Sequence, residues 1–268
     1  MISCWLWLVA SAAAGGWTQP AGAHYLKVSQ RTLIGDQGFD LDGETFDLDG
    51  GRYSDFTMNI YGEWGVTDDW TLVITSTPIG RGYVETATQS RSGWYSGTSL
   101  VGVRRRLSDA ALKLAAEARA GGVPPLGAQQ LAADVGQGWF WQTTVPTAQA
   151  EAEIQAGVGL PWGWAAASVG GRWQSAAELP AVSILGTASI GWTGKRLGVS
   201  LQLSTVQPLE PVTALNISGA GATRYIGVEP GLSVPLGERL SLVASMGGVL
   251  TAQANAATPA INVGVAHR

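Results

Sequence analysis

Residues 53–65 read YSDFTMNIYGEWG, and this stretch alternates between two kinds of side chain. Phe56, Met58, Ile60 and Trp64 fall on one face of an extended chain, while polar residues occupy most of the positions between them. A period of two over about ten residues is typical of an amphipathic β-strand that is long enough to cross hydrocarbon when tilted. The stretch therefore predicts a membrane-crossing strand.

The same alternation recurs along the chain. Segments 150–160 and 196–204 set valine, leucine, isoleucine or alanine against charged and small polar residues. Segment 108–120 is rich in alanine and leucine, which favours a helix by propensity. Its Lys113 and Glu117 nevertheless fit a period of two, so we predict a strand there as well. About twelve strands are predicted, at 24–34, 53–65, 69–79, 97–107, 111–121, 148–160, 164–174, 182–193, 196–207, 222–234, 239–251 and 257–267.

The connections between these segments alternate in length, with tight turns followed by longer loops. An outer-membrane barrel has this pattern, because its periplasmic turns are short and its external loops are long. In lipid every backbone N–H and C=O needs an internal partner, which forbids an open sheet edge. We therefore predict an all-β fold: a transmembrane antiparallel up-and-down β-barrel of about 12 strands in the bacterial outer membrane. The alternative is a soluble secreted protein whose two sheets pack their apolar faces together.

Tryptophans beside the short turns point to the same architecture. Indole rings prefer the headgroup level of a bilayer, so tryptophans at strand ends form aromatic girdles. The predicted girdle comprises Trp64, Trp70, Trp162, Trp164 and Trp192.

The first residues have the pattern of a secretory signal. An apolar run from Trp5 to Ala10 leads into small residues, and it is too short to span a bilayer as a helix. We predict a signal peptide at 1–16 with cleavage near Ala14, followed by a single barrel domain at 17–268. The alternative is a buried N-terminal strand or helix.

Composition excludes several classes of function. The 268 residues include 16 basic and 20 acidic side chains, and the charges do not form long runs of one sign. The sequence therefore shows no basic patch of the kind that binds nucleic acid. Two His and one Cys argue against a metal site built from imidazoles or thiolates, and no cofactor is predicted. The chain lacks a G-x-S-x-G elbow, a P-loop and an H-E-x-x-H motif, and neither His24 nor His267 has a persuasive serine partner. We therefore predict that the protein is not an enzyme. The two histidines are expected to come near each other if the first and last strands pair.

If the polar face of each strand points inward, the lumen can be predicted residue by residue. The predicted lumen-lining side chains are Asp55, Glu63, Arg104, Arg106, Lys113, Glu117, Arg119, Glu151, Glu153, Arg172, Arg196 and Arg239, and Lys27, Arg31 and Glu229 belong to the same face. These charges have two interpretations: an ion-pair network that braces the wall, or charged rings in a narrow pore that select solutes. A twelve-stranded lumen is narrow, because eight strands enclose only side chains and wide porins need sixteen.

The first long loop contains an acidic repeat. The sequence FDLDG at 39–43 recurs at 46–50, and it lacks the spacing of an EF-hand. We predict a solvated β-hairpin that extends the wall. The alternative is a weak Ca²⁺ site, or bridging to lipopolysaccharide through divalent ions, that uses Asp40, Asp42, Asp47 and Asp49.

Residues near the N-terminus resemble a family of small bacterial outer-membrane barrels. The resemblance rests on Trp17–Pro20, on Gly22, on Tyr25–Lys27, and on the stretch from Tyr61 to Asp68 with the Trp70–Leu72 that follows. Members are described as transporters, as similar to a barrel of aromatic-compound degradation clusters, or as XagA-like proteins linked with exopolysaccharide genes. The resemblance implies an outer-membrane barrel but no catalytic residues.

The match covers about residues 17–80. The chain departs from many such barrels at its last strand, which ends in His267 and Arg268 without the terminal aromatic presented to the barrel-assembly machinery.

The sequence thus predicts a narrow channel or transporter for small solutes, with anionic solutes favoured by a modest basic excess. The alternative is a structural or accessory barrel of envelope or exopolysaccharide machinery with an occluded lumen. The expected partners are outer-membrane lipid, lipopolysaccharide and the barrel-assembly machinery.

Overall fold

A computed structural model defines the fold. It describes residues 17–87, 89–134, 138–176, 179–221 and 223–268. The predicted signal peptide at 1–16 lies outside the described residues. No helix among the described residues is long and apolar enough to cross a membrane.

Eighteen β-strands are formed by the described residues. In chain order they are β1 (His24–Gly35), β2 (Gln37–Phe39), β3 (Thr45–Asp47), β4 (Arg52–Gly65), β5 (Trp70–Glu85), β6 (Ser90–Tyr95), β7 (Ser99–Asp109), β8 (Leu112–Val123), β9 (Gln130–Ala133), β10 (Phe140–Gln142), β11 (Thr147–Leu160), β12 (Gly163–Gln174), β13 (Val182–Thr193), β14 (Gly198–Pro208), β15 (Arg224–Pro235), β16 (Leu240–Gln253), β17 (Asn255–Ala256) and β18 (Ala260–His267).

Twelve of these strands close into one antiparallel barrel. Its order is β1, β4, β5, β7, β8, β11, β12, β13, β14, β15, β16 and β18, and β18 pairs with β1 to complete the circle. Leu26 lies opposite His267 at this seam, and Leu33 lies opposite Ala260. Closure gives every barrel strand two partners, as a bilayer requires. The predicted fold class is confirmed.

The twelve predicted segments coincide with the twelve barrel strands. The largest difference in a strand end is at β5, which continues to Glu85 rather than ending at 79. The alanine-rich segment is strand β8, since it places Lys113, Glu117 and Arg119 on the inner face and Leu112 on the outer face. The alternating pattern therefore outweighs the helix propensity of alanine and leucine. One face of this strand contacts the lumen and the other contacts lipid, so each set of side chains is in a suitable environment.

Exposure along the barrel is the reverse of that in a soluble protein. Leu201 and Leu203 on β14 are each 44% exposed, whereas the inward Thr71 is 0% exposed and Gln155 is 1% exposed. So large an apolar exterior is unfavourable in water and favourable against acyl chains. The barrel wall is therefore built to face lipid.

The two ends of the barrel differ. The short-turn end carries the tight connections after β4, β7, β11, β13 and β15, and the long-loop end carries the others. The long loops are not irregular, since β2, β3 and β17 form a small sheet, β9 pairs with β10, and β6 pairs with the outer part of β5. The pairing of β2 with β3 agrees with the hairpin predicted for the acidic repeat, although it joins a separate small sheet rather than the wall. β6, β9, β10 and β17 were not predicted from the sequence.

Candidate functional site

The barrel encloses a polar cavity of about 820 Å³. Lys27, Arg31, Asp55, Tyr95 and Gln149 are among the side chains that line it. They belong to strands spread around the wall, which places the cavity inside the barrel rather than in a surface groove. The cavity is the candidate functional site.

A buried group of ion pairs, the charged cluster, occupies one wall of the lumen. It is formed by Glu63, Arg104, Glu117, Arg119, Glu151, Glu153 and Arg172. Arg104 lies at its centre with a side chain that is only 5% exposed, and its Nη1 is 2.8 Å from Glu63 Oε1 while its Nε is 2.7 Å from Glu117 Oε2. Arg104 also donates a hydrogen bond to the Tyr61 hydroxyl at 3.1 Å.

The strand register explains why these charges meet. Arg104 lies directly opposite Glu117, and Glu151 lies between Arg119 on one side and Arg172 on the other. Directly opposite residues have Cβ atoms about 5 Å apart, which suits ion pairs. Arg119 Nη2 and Arg172 Nε each lie 2.8 Å from a Glu151 carboxylate oxygen.

Arg119 also resolves a like-charge contact. Glu117 and Glu153 are directly opposite each other, an arrangement that is destabilising without a cation. Arg119 Nη2 lies 2.9 Å from Glu153 Oε1, and its Nε lies 3.2 Å from Glu117 Oε1. The charged cluster is thus a continuous network from β4 to β12.

The wall across from the charged cluster is lined by small residues. Ser200, Gly231, Ser233 and Ser245 border a cleft of about 100 Å³ that also touches Trp164. Small side chains on one wall and long charged ones on the other give the lumen an asymmetric cross-section.

The short-turn end of the lumen is narrowed by residues 17–20. Arg104 donates a hydrogen bond to the Trp17 carbonyl at 3.0 Å, and Gln19 Nε2 donates one to Glu63 Oε2 at 2.5 Å. The Gln19 backbone N–H also donates to Thr71 Oγ1 at 2.8 Å. Because Glu63, Thr71 and Arg104 all point inward, this segment lies against the inner surface of the barrel. The sequence did not predict this contact.

At the long-loop end an apolar group, the external cap, packs between the loops and the wall. It consists of Leu33, Leu48, Tyr53, Val84, Leu131, Ala132, Trp139, Trp141, Ile217, Ala256 and Ala260. The Trp141 ring stacks on the Tyr53 ring with centroids 4.6 Å apart. Both ends of the cavity are therefore narrowed by protein.

Tyr95 is a lumen residue that the sequence reasoning missed. Its hydroxyl donates to the Asp55 carboxylate, with distances of 2.8 and 2.7 Å to the two oxygens. The Tyr95 ring packs directly over Gly80 of the neighbouring strand, where an added Cβ would lie 2.4 Å from the ring. Gly80 was the available signal, because glycine in a strand often marks a close approach.

Four predicted lumen residues lie at the short-turn end of the barrel and not among the residues that line the cavity. Arg106 and Lys113 are at the rim of the short-turn end, where they pair with Asp69 and Asp109 at 2.5 Å each. Arg196 and Arg239 are exposed in turns, and their prediction as lumen residues is wrong. The pleat begins only after each of them, at residues 198 and 240, so the inward–outward alternation does not reach them.

The aromatic girdle needs one correction. Trp64, Trp70, Trp162 and Trp192 are exposed at the short-turn end, but Trp164 is 2% exposed and points inward. Its ring occupies space over Gly191, where a Cβ would lie 2.4 Å from it. Trp162 lies in the turn and Trp164 in the strand, so sequence proximity to a turn did not decide which side of the wall each one faces.

Substitution of Trp164 by alanine is expected to widen the lumen. The buried indole borders the small cleft, so its removal should raise single-channel conductance modestly. Trp162→Ala is the matched control, because this indole is 48% exposed and outside the lumen. Equal conductance of the two variants in planar bilayers would contradict the inward placement.

The acidic repeat forms part of a hairpin. β2 pairs with β3, and Asp40 Oδ1 accepts the backbone N–H groups of Asp42 and Glu44 at 2.9 and 2.8 Å. Gln37 donates to Asp47 at 2.6 Å. Within the described residues no group of three His, Cys, Asp or Glu side chains could hold a metal ion. The weak Ca²⁺ site at Asp40, Asp42, Asp47 and Asp49, or bridging to lipopolysaccharide through them, stays a prediction.

The two histidines meet where the barrel closes. His24 Nε2 lies 3.1 Å from His267 Nδ1, and the rings stack with centroids 5.1 Å apart. This agrees with the sequence expectation that strand pairing would bring them together. The pair lies on the outer face near Trp64, away from the cavity.

An apolar exterior, a polar interior and a closed wall define the class: a bacterial outer-membrane β-barrel. The sequence matches no family model and no curated protein. The COG4313 outer membrane channel from Pseudomonas putida F1 is similar in structure, with a TM-score of 0.63 and 14% identity over 94% of this chain and 97% of that one. The translocator domain of autotransporter NalP from Neisseria meningitidis has a TM-score of 0.51 and 13% identity, over 94% and 90%.

These likenesses show the fold. The Pseudomonas putida toluene transporter TodX is more distant, with a TM-score of 0.46 and 11% identity over 92% of this chain and 89% of that one. The resemblance to XagA-like barrels stays a prediction.

Proposed function

We propose that the chain forms a narrow outer-membrane channel for small solutes and that it favours anions. The observation that carries this proposal is the polar cavity of about 820 Å³ inside the barrel. A lumen filled entirely by side chains would leave no such space. Charged groups at a constriction then decide which solutes enter.

Two cations in the cavity wall support the preference for anions. Lys27 and Arg31 both project inward from β1, and within the described part of the chain no carboxylate oxygen lies within 4.0 Å of either cation. Of the carboxylates that line the cavity, Glu151 pairs with two arginines. Asp55 and Glu229 accept hydrogen bonds from the hydroxyls of Tyr95 and Ser245. Lys27 and Arg31 are thus cavity cations outside the charged cluster, and they place positive potential along β1.

Neutralising both cations should remove the preference for anions. In planar bilayers under a salt gradient, the reversal potential of Lys27→Gln/Arg31→Gln is expected to shift towards cation selectivity. The matched control is Lys195→Gln/Arg196→Gln, which removes the same charge from an exposed turn at the short-turn end. An unshifted reversal potential in the first variant contradicts the anion preference, and absent conductance in the wild type contradicts the channel itself.

A second candidate function is a structural or accessory barrel of envelope or exopolysaccharide machinery. The observation that favours it is the narrowing of both ends, by residues 17–20 and by the external cap. This candidate predicts a wild type without conductance and envelope proteins that co-purify with it.

Insertion by the barrel-assembly machinery is also part of the proposal. β18 supplies the final strand and pairs with β1 over eight residue pairs. Its His267 occupies the seam where many barrels of this kind carry a terminal aromatic.

A further inference from the structure

The outer face of β5 carries an arginine–tryptophan pair at each end. At the long-loop end Arg81 Cζ lies 5.2 Å from the centre of the Trp94 ring, and the two residues are directly opposite across β5 and β6. At the short-turn end Arg105 Cζ lies 5.4 Å from the centre of the Trp70 ring, again directly opposite. The two pairs therefore share one geometry and differ in the membrane leaflet that they face.

The spacing of the pairs matches the thickness of a bilayer. Residues 70 and 81 are eleven positions apart on β5, and an irregularity between Ser76 and Ile79 leaves both on the outer face. At about 3.3 Å per paired position over about ten positions and a tilt near 40°, this corresponds to roughly 25 Å along the membrane normal, which matches the apolar band of about 25 Å. The outward Ile74 and Ile79 lie between them and face the acyl chains. Arg81 thus reaches the headgroup level of the outer leaflet.

Arg81 is a cation available to a ligand. Among the described residues its guanidinium forms no ion pair, since the nearby Glu85 is paired with Arg52 at 2.6 Å. The next outward row beyond Arg81 consists of Tyr83 and Ser92, which are directly opposite each other. The Tyr83 hydroxyl accepts a hydrogen bond from Ser90 at 3.0 Å and donates one to Glu85 at 3.4 Å, whereas Ser92 is exposed. A guanidinium, the Ser92 hydroxyl and an exposed indole therefore lie together on the outer wall.

We propose that Arg81, Trp94 and Ser92 form a binding site for a phosphate group of lipid A, the anchor of lipopolysaccharide in the outer leaflet. Guanidinium groups bind phosphate through charge-assisted hydrogen bonds, and the Ser92 hydroxyl adds a further donor. The indole of Trp94 lies at the boundary between the sugar headgroup and the acyl chains, where tryptophan is preferred. Phosphates of lipid A lie at this level in the outer leaflet only, so the Arg105–Trp70 pair faces phospholipid instead.

The test compares variants in nanodiscs that are titrated with bisphosphorylated lipid A, with retained lipid measured by mass spectrometry. Arg81→Gln is expected to bind this lipid about tenfold more weakly than the wild type, the loss of one charge-assisted hydrogen bond. Arg81→Lys keeps the charge and should retain most of the affinity. Arg105→Gln is the matched control and should bind as the wild type does. Heat-modified migration on gels confirms that each variant is folded.

Dephosphorylated lipid A identifies the group that is recognised. The wild type should bind it about as weakly as Arg81→Gln binds the phosphorylated lipid, and Arg81→Gln should show no further loss. Equal binding of both lipids by the wild type would overturn the proposal. The proposal would also be overturned if Arg81→Gln bound the phosphorylated lipid as tightly as the wild type does. The same holds if Arg105→Gln lost as much affinity as Arg81→Gln.

Discussion

Replacing Arg104 with alanine is expected to lower the free energy of unfolding by about 3–5 kcal/mol, because it leaves buried carboxylates without their cation. Arg104 is the shared partner of Glu63 and Glu117, and both carboxylates are buried in the lumen wall. Its guanidinium also donates a hydrogen bond to the Trp17 carbonyl at 3.0 Å. Denaturant unfolding in detergent micelles, followed by tryptophan fluorescence, measures the change.

The control for this experiment is Arg106→Ala. Arg106 pairs with Asp69 at the exposed rim, where solvent screens the interaction, so its loss should change stability little. If Arg104→Ala lowers the free energy of unfolding no more than Arg106→Ala does, the charged cluster does not stabilise the barrel.

A rescue separates lost pairing from lost packing. The variant Arg104→Met/Glu63→Gln/Glu117→Gln removes the two carboxylates together with their cation and replaces the arginine stem by an apolar chain of similar length. It should recover much of the stability, since the costly groups are buried carboxylates left without their cation, and Arg119 keeps its pairs with Glu151 and Glu153. If the triple variant is as unstable as Arg104→Ala, the lost stability comes from packing around Arg104 and not from its ion pairs.

A refolded variant that begins at Ala21 is expected to conduct several-fold more than one that begins at Trp17. Residues 17–20 are held against the inner wall by Arg104, Glu63 and Thr71, so their removal opens the short-turn end. The water that enters then solvates Glu63, which loses its hydrogen bond from Gln19. Single-channel recording in planar bilayers measures the change.

Thr18→Ala provides the control for this truncation. It removes only a hydrogen bond to the Asp68 carbonyl at the rim and keeps the segment in place. Its conductance should equal that of the wild type. If the truncated variant also conducts like the wild type, the limiting constriction lies at the external cap instead.

The twelve barrel strands were predictable because each strand meets lipid on one face and the lumen on the other. That two-sided environment imposes a period of two, which a single sequence displays directly, as in residues 53–65. The same rule placed Glu63, Arg104 and Glu117 on one face. It failed at Arg196 and Arg239, because turn geometry decides where a strand and its alternation begin. Trp164 had been assigned to the girdle from its closeness to a turn, which does not fix the direction of a side chain.

What the sequence by itself determined is the side of the wall on which most residues lie, since alternation is a local property of an extended chain. Only the tertiary structure decided which charges meet. Arg119, Glu151 and Arg172 form a network because three strands pair in one register, and a register is set by contacts between distant segments. The entry of residues 17–20 into the lumen and the packing of the external cap have the same origin. They depend on the space that a closed barrel leaves, which no single segment encodes.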